Sequence, residues 1–415
     1  MKIGFEDMNS ASPNKTCKSN SMSHTPEQIF QIAQGLHCYR DWLAGIRAFN
    51  EAPIMDKAQL YTLVAECMSD PEFRKGLYLS PTGGSTSSEP LYFPADIAEN
   101  HFQRAALASY LSKTGILTKD SIVLNLFGST FMYRSAEIIN EFCELVGATV
   151  LPASAHASDA GAYKIAQQFG ANCIAGTSSR IIQFAKYFQE NKPEHRFEQV
   201  IFGGEPLPAY KEQFLKDVLN IGSFNGIFGS AEAGVFGFKL QQGAVAKYLC
   251  PADLVHIELI DPDEEGFGTM ILTNLIRTRF PLLRYNTGDI VRLSKEKFQG
   301  AEFNVIEFRG RTDRSFQIGG EYILLSQFSK LFEGLLDFQI TLSYDASSKM
   351  DQIDFRLVPK DQPDEHSREL IVTGIQRTIS NNPKLFRTSI EFVEMDQLKK
   401  TPHSQKVIKI IDERP

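Results

Sequence analysis

The 415-residue sequence predicts an α/β protein: a large N-terminal domain with parallel α/β sheet layers and a small antiparallel β subdomain, then a small α+β C-terminal domain. Three observations carry that expectation. Apolar β-type runs alternate with amphipathic helical runs beyond Asp120, the pattern turns to strand pairs after Gln241, and the chain from about Asp313 onward has helices and strands of its own. A chain of this length also exceeds what one hydrophobic core usually serves.

In chain order, residues 1–24 (MKIGFEDMNSASPNKTCKSNSMSH) are Ser/Asn/Lys-rich, lack the continuous apolar core of a secretory signal, and read as a disordered tail. From Thr25 to Met68 apolar residues recur at helical spacing, with Trp42 and Leu43 sharing a face with Ile46 and Phe49, which predicts packed helices. SIVLNLF, ATVLP, ANCIAG, EQVIFGG and FNGIFGS then read as strands, with RSAEIINEFCELVG, AGAYKIAQQFG, SRIIQFAKYFQEN and AYKEQFLKDVLN as the intervening helices. ATVLP, ANCIAG and EQVIFGG are continuously apolar, as strands covered on both faces must be. In such sheets ligands sit beyond the carboxyl ends of the strands. Two unusual loops fall there: Gly203-Gly204-Glu205-Pro206 and Gly229-Ser230-Ala231-Glu232-Ala233-Gly234.

Further on, VHIELID and TMILTNL flank the turn-forming PDEEGFG, and LLRYNTGDIVRL and FNVIEFRGR continue the strand pairs. The boundary predicted near Asp313 divides the chain into a domain of residues 25–312 and a C-terminal unit of residues 313–415. SQFSKLFEGLL and HSRELIVTGIQRTIS are the helices expected in that unit.

Composition excludes several classes. Apolar residues make up 42% and charged residues 22%, the balance of a soluble globular protein. The net charge of −7 leaves no basic excess to bind nucleic acid or an anionic membrane, and no apolar run is long enough to span one. Six cysteines without short paired spacings suggest neither a disulfide framework nor a zinc site, which fits a reducing cytoplasm. Cys250 and His256, with no second ligand pair nearby, read as structural. No GxGxxG follows a strand, and no Ser-His-Asp or Cys-His grouping is visible.

Between GLYL and LYFP lies Ser80-Pro81-Thr82-Gly83-Gly84-Ser85-Thr86-Ser87-Ser88-Glu89-Pro90. Glycines allow close backbone approach to a phosphate, and small hydroxyls add donors. Such a stretch taken alone is more often a flexible connector. It resembles, however, the Ser/Thr/Gly phosphate loop of adenylate-forming enzymes, the ANL superfamily of acyl-CoA synthetases, and other segments follow in that superfamily's order. Phe228-Gly229-Ser230-Ala231-Glu232 resembles its aromatic-Gly-Ser/Thr-x-Glu signature, and Arg284-Tyr285-Asn286-Thr287-Gly288-Asp289 its RYxTGD signature. Gly310-Arg311-Thr312-Asp313 and Ser404-Gln405-Lys406 are similar to its hinge and catalytic-lysine segments. LVGATVLP, FGGEPLP, PLLRYNTGD and the ending KVIKIIDER resemble the phenylacetate–CoA ligase-like branch.

That resemblance implies activation of a small carboxylic acid, aryl or arylacetic, with ATP and Mg²⁺. The products would be an acyl adenylate and pyrophosphate, and the acyl group would then pass to CoA. A carrier protein, a protein side chain or an amine stays open as the acceptor. So does a degenerate binding protein, since Ser87 and Gln405 stand where the family has glycine.

The resemblance also implies a role in secondary metabolism and allows a homodimer. Thr82, Gly83, Gly84, Ser85, Thr86 and Ser87 would cradle the phosphates, and Gly203, Gly204, Glu205, Phe228, Gly229 and Ser230 would border the nucleotide. Asp289 would hold the ribose, Arg311 the ribose and α-phosphate, Glu232 the Mg²⁺, and Lys406 the α-phosphoryl group. Asp313 would be the hinge. The acyl pocket is expected between Phe131, Tyr133, Gly226 and Phe236.

Overall fold

The computed structural model describes the chain except residues 1–22, 82–91, 130, 131, 133, 192, 193, 205, 206, 208, 240–246, 299, 312–314, 320, 329, 360–362, 381, 400–406 and 415. Ser23 and His24 depart from the predicted tail, because the His24 N–H donates to the Leu275 carbonyl (2.9 Å).

Thr25 starts α1 (Pro26–Gly35) through a capping box with Gln28, with Pro26 placed where a missing N–H costs nothing. Asp56 caps α2 (Lys57–Cys67), its carboxylate accepting from the Gln59 N–H. Short 3₁₀ turns at His37–Tyr39 and Phe49–Glu51 join the two helices. A disulfide between Cys38 and Cys67, 29 residues apart, ties the first of these turns to the end of α2. The expectation of unpaired cysteines fails there; the two meet only because the intervening chain doubles back.

An antiparallel pair, β1 (Leu77–Pro81) and β2 (Tyr92–Asp96), precedes α3 (Ile97–Lys113). The predicted alternation follows as β3 (Ile122–Asn125), α4 (Ser135–Val146), β4 (Thr149–Pro152), α5 (Asp159–Phe169), β5 (Cys173–Gly176), α6 (Ser178–Asn191), β6 (Gln199–Gly203), α7 (Ala209–Leu219) and β7 (Ser223–Ser230). Next come β8 (Gly234–Lys239), β9 (Lys247–Pro251), β10 (Val255–Ile260), β11 (Phe267–Asn274), β12 (Tyr285–Phe298) and β13 (Ala301–Arg311).

The expected parallel layer and antiparallel subdomain are one continuous sheet. Its order among the described residues is β10-β11-β12-β13-β9-β8-β7-β6-β5-β3-β4. β3 to β7 run parallel, the β7–β8 hairpin reverses direction, and among the described residues β8 meets β9 at Phe238↔Leu249. Neighbouring residues of the parallel strands enter different cores, as alternation across a doubly covered sheet requires. Val123, Cys173 and Ile201 face α3, α4 and the N-terminal helices, whereas Leu124, Ile174 and Val200 face α5, α6 and α7.

The C-terminal unit has the hairpin β14 (Ser315–Ile318) and β15 (Glu321–Leu324), then β16 (Leu335–Asp345), β17 (Met350–Pro359), α8 (Glu365–Thr378), β18 (Phe386–Phe392) and β19 (Ile410–Asp412). Sheet β18-β17-β16-β19 carries its separate core, with Ile340, Ile353, Phe355 and Ile375 inside. The helix expected over SQFSKLFEGLL is only a 3₁₀ turn, Leu325–Phe328, followed by turns. Phe328 and Phe332 stack there (5.2 Å), so the helical spacing reflects two turns feeding one core. No helix among the described residues is long and apolar enough to cross a membrane.

Candidate active site

A cavity of about 230 Å³ opens at the carboxyl ends of the parallel strands. Gly203 ends β6 and Gly204 follows it, Gly229 and Ser230 end β7 and Ala231 follows, and Gly234 and Val235 begin β8; all of them line it. Asn100 and Arg104 of α3 and Ile138 and Ile139 of α4 close the opposite side, and Ser80 of β1 adds an edge. The two loops that the sequence placed beyond strand ends therefore share one cavity.

Its polar lining includes three guanidinium groups. Arg134 lies on the Tyr78 ring (3.3 Å), and Arg104 pairs with Glu141 of α4. Arg277 is 4% exposed, and burial pulls its pKa down to about 10 against the opposing pull of Glu99 and Glu232.

The β7–β8 turn is bolted in place by buried polar groups. The Arg277 Nη1 donates to the Glu232 carbonyl at 2.6 Å. Gln103 donates to the carbonyls of Ala233 (2.9 Å) and Val235 (2.8 Å), and Asn274 donates to that of Ala233 at 2.9 Å. Asn274 in turn accepts from the N–H groups of Ile276 and Arg277. The turn also requires its glycine, because a Cβ at Gly229 would lie 2.3 Å from the Gly234 carbonyl oxygen.

Glu232 is 6% exposed, and Lys57 lies 3.9 Å from its carboxylate. Two residues earlier in the chain, Met55 bridges to Tyr285 and accepts from the Asn286 N–H (2.8 Å). The segment 55–57 thus touches both the Glu232 turn and the Arg284–Asp289 signature. Asp289 sits within β12, 9% exposed, its N–H donating to the Thr287 hydroxyl (3.2 Å) and its Cα facing that of Arg311 on β13. Arg284 is structural: it binds Glu258 with two donors (3.1 Å each) and donates to the Ala52 carbonyl at 2.5 Å.

Strand alternation corrects part of the expected acyl pocket. Ile227 and Gly229 of β7 face the cavity, whereas Gly226 and Phe228 face away. A Cβ on Gly226 would meet Phe202 (2.9 Å) and Tyr248 (3.1 Å), and Phe228 packs edge-on against Phe236 (5.3 Å). Gly226 therefore makes room for the Phe202 and Tyr248 rings, and Phe228 and Phe236 pack on each other behind the wall. Phe131, Tyr133, Thr82, Gly83, Gly84, Ser85, Thr86, Ser87, Glu205, Asp313 and Lys406 lie outside the described residues, and Arg311 is described only in its backbone. Gln103, Asn274, Arg277 and the lining residues Asn100 and Arg104 were not found from sequence, since each is a lone polar residue in an unremarkable helix, strand or loop.

His256 and Cys250 sit in packed surroundings. His256 packs edge-on against Phe49 (5.6 Å), and complete burial raises the Cys250 thiol far above its usual range.

A parallel sheet continued by an antiparallel one, the signature turn at its carboxyl edge and a small α+β unit behind it together define the fold of the adenylate-forming enzymes. Its solved counterparts include 2-hydroxyisobutyryl-CoA ligase in complex with 2-HIB-AMP and CoA in the thioesterification state. That structure shares 18% identity with this chain over 94% of it and 88% of the ligase, at a TM-score of 0.73. The amide bond synthetase McbA from Marinactinospora thermotolerans matches 82% of this chain and 68% of its own length at 12% identity and TM-score 0.54. A malonyl-CoA ligase product complex with methylmalonyl-CoA and AMP matches 76% of this chain and 70% of its own length at 14% identity and TM-score 0.51. No protein-family model matches the sequence, and no curated protein matches it.

Proposed function

We propose that this chain is a cytoplasmic acid–thiol ligase of the phenylacetate–CoA ligase-like kind. It joins the carboxylate of an aryl or arylacetic acid to AMP, releases pyrophosphate, and passes the acyl group to the thiol of CoA. The observation that carries this reading is one cavity lined by both Gly203-Gly204 and Gly229–Ala231, with the turn that bears Glu232 next to it anchored by buried donors. Apolar walls from Phe127, Ile138, Ile139, Ile227 and Val235 suit a flat acyl group, and the guanidinium groups suit the anionic reactants.

Magnesium selects hard carboxylate oxygens, and Glu232 supplies one. The ion would neutralise charge on the ATP phosphates. The chain's own groups would do the rest: Asp289 would hold the ribose hydroxyls, and the loop of residues 82–88 would donate N–H groups to the phosphates. Lys406 and Arg311 would balance the charge that gathers at the α-phosphoryl group as the carboxylate attacks and pyrophosphate leaves. Turning the C-terminal unit about Asp313 would then remove Lys406 and admit the thiol. CoA ligases among the structural counterparts support CoA as acceptor.

The test is a carboxylic-acid screen by pyrophosphate release, run with and without CoA, a carrier-protein thiol and an amine. Acid-dependent release with thioester formation is expected. ATP binding without exchange for any acid would mean a degenerate binding protein, and unchanged exchange in Lys406→Ala would refute the role given to that lysine.

A further inference from the structure

Asp351, the second residue of β17, has 3% side-chain exposure, yet a close cationic partner comes from the other domain. Lys211 Nζ, in the first turn of α7, donates to Asp351 Oδ2 at 2.7 Å. Arg414 reaches the same oxygen at 3.5 Å while donating to the Gln317 carbonyl (2.8 Å) and to Asp412 (2.7 Å). One carboxylate therefore joins three pieces of chain. They are the helix that follows the Gly203-Gly204 wall, the β16–β17 hairpin, and the chain just past β19, a strand that follows the segment bearing Lys406.

The seam around this node is otherwise cationic. Lys186 of α6 and Lys349 and Lys384 of the C-terminal unit line the same small cleft, and Asp351 is the only carboxylate lining it among the described residues. The Lys186 ammonium is pulled down first by burial and further by Lys211 and Arg387, while Asp351 and Glu190 oppose the shift. Closing the seam brings like charges from both domains together, and Asp351 converts that repulsion into attraction. Neither domain needs the pair for its own core, since the two cores are separate.

The arrangement that the pair holds can be recognised. The chain superposes on 2-hydroxyisobutyryl-CoA ligase in the thioesterification state at a TM-score of 0.73, but on its open and postadenylation structures at 0.58 to 0.59. The four counterparts are the same protein, so the difference measures how the domains are placed.

We infer that Lys211 and Asp351 form a positioning latch for the second half-reaction, holding the C-terminal unit where the acceptor thiol can reach the adenylate. The inference rests on the ligase reading. In the first half-reaction the latch must part, because Lys406 then has to approach the α-phosphoryl group.

The test uses the full-length chain carrying Lys211→Met or Asp351→Asn. Two rates are measured: acid-dependent ATP–pyrophosphate exchange, and single-turnover transfer from the isolated enzyme-bound adenylate to CoA. Transfer should slow about tenfold or more while exchange stays within about twofold, the split that a shift in domain populations produces. Equal slowing of both rates, or unchanged transfer, overturns the latch.

A tethered variant, Lys211→Cys with Asp351→Cys joined by a short bis-thiol cross-linker, supplies the converse. Cross-linked, it should transfer a preformed adenylate yet fail to exchange pyrophosphate; exchange that persists in the cross-linked form also overturns the inference. If the wild-type chain exchanges with no acid, the ligase reading fails instead. The latch is then judged by small-angle scattering, where Lys211→Met should widen the particle and an unchanged profile refutes it.

Discussion

Replacing Arg277 with methionine tests whether the signature turn depends on a buried cation. Methionine keeps most of the side-chain volume and the contact over the Phe93 ring, where the guanidinium now lies at 5.6 Å. What is lost is the donor to the Glu232 carbonyl at 2.6 Å and the charge that faces Glu99 and Glu232. Stranding a buried carbonyl costs about 1–3 kcal/mol. Removing a desolvated guanidinium returns part of that, so a net loss of about 2 kcal/mol in folding stability is expected. Activity should suffer more. A turn displaced by about 1 Å moves the Glu232 carboxylate off its position, and such shifts cost about 100-fold in rate. Urea unfolding reports the first quantity, and acid-dependent pyrophosphate exchange across a magnesium titration reports the second. A folded Arg277→Met protein whose exchange rate and magnesium requirement stay within about twofold of wild type would show that the turn holds without the cation.

Three further outcomes are expected. Gly229→Ala forces a Cβ to 2.3 Å from the Gly234 carbonyl oxygen, so the turn must open; a loss of stability above about 2 kcal/mol should accompany loss of exchange, and a melting temperature equal to wild type would contradict the geometry. Burial lowers the His256 pKa below 6.5, with Glu258 opposing, so the unfolded chain binds this proton first and stability falls as the pH drops through 6.5. His256→Gln should therefore flatten the decline in urea midpoint between about pH 7 and about pH 5, and an unaltered slope would count against the shift. Opening the Cys38–Cys67 link, which closes a separation of 29 residues, should cost about 3–4 kcal/mol by loop entropy. Thermal melts with and without reductant read this directly, and coincident melts would mean that the two thiols are not joined.

The alternation from β3 to β7 was legible because each strand is a continuous apolar run and each helix an amphipathic one, both local properties. The signature loops were legible because glycine-rich strand ends are rare within such alternation. Sheet continuity was not, since the pairing of β8 with β9 through Phe238 and Leu249 depends on where the chain returns, not on what flanks either strand. For the same reason Gln103 and Asn274, separated by 171 residues, give no sign that they support one turn. Gly226 and Phe236, expected at the acyl pocket, sit in the strands that border the cavity but do not line it, because a single step along β7 exchanges cavity for core.

The register of β12 and β13 has a mechanical consequence. Asp289 and Arg311 oppose each other on the terminal rung of that ladder, and the next strand, β14 of the C-terminal unit, begins at Ser315. Under the proposed function, a ribose grasped at this rung would sit at the root of the proposed swinging arm, so occupancy of the nucleotide and the freedom of the arm to pivot would be set at the same place.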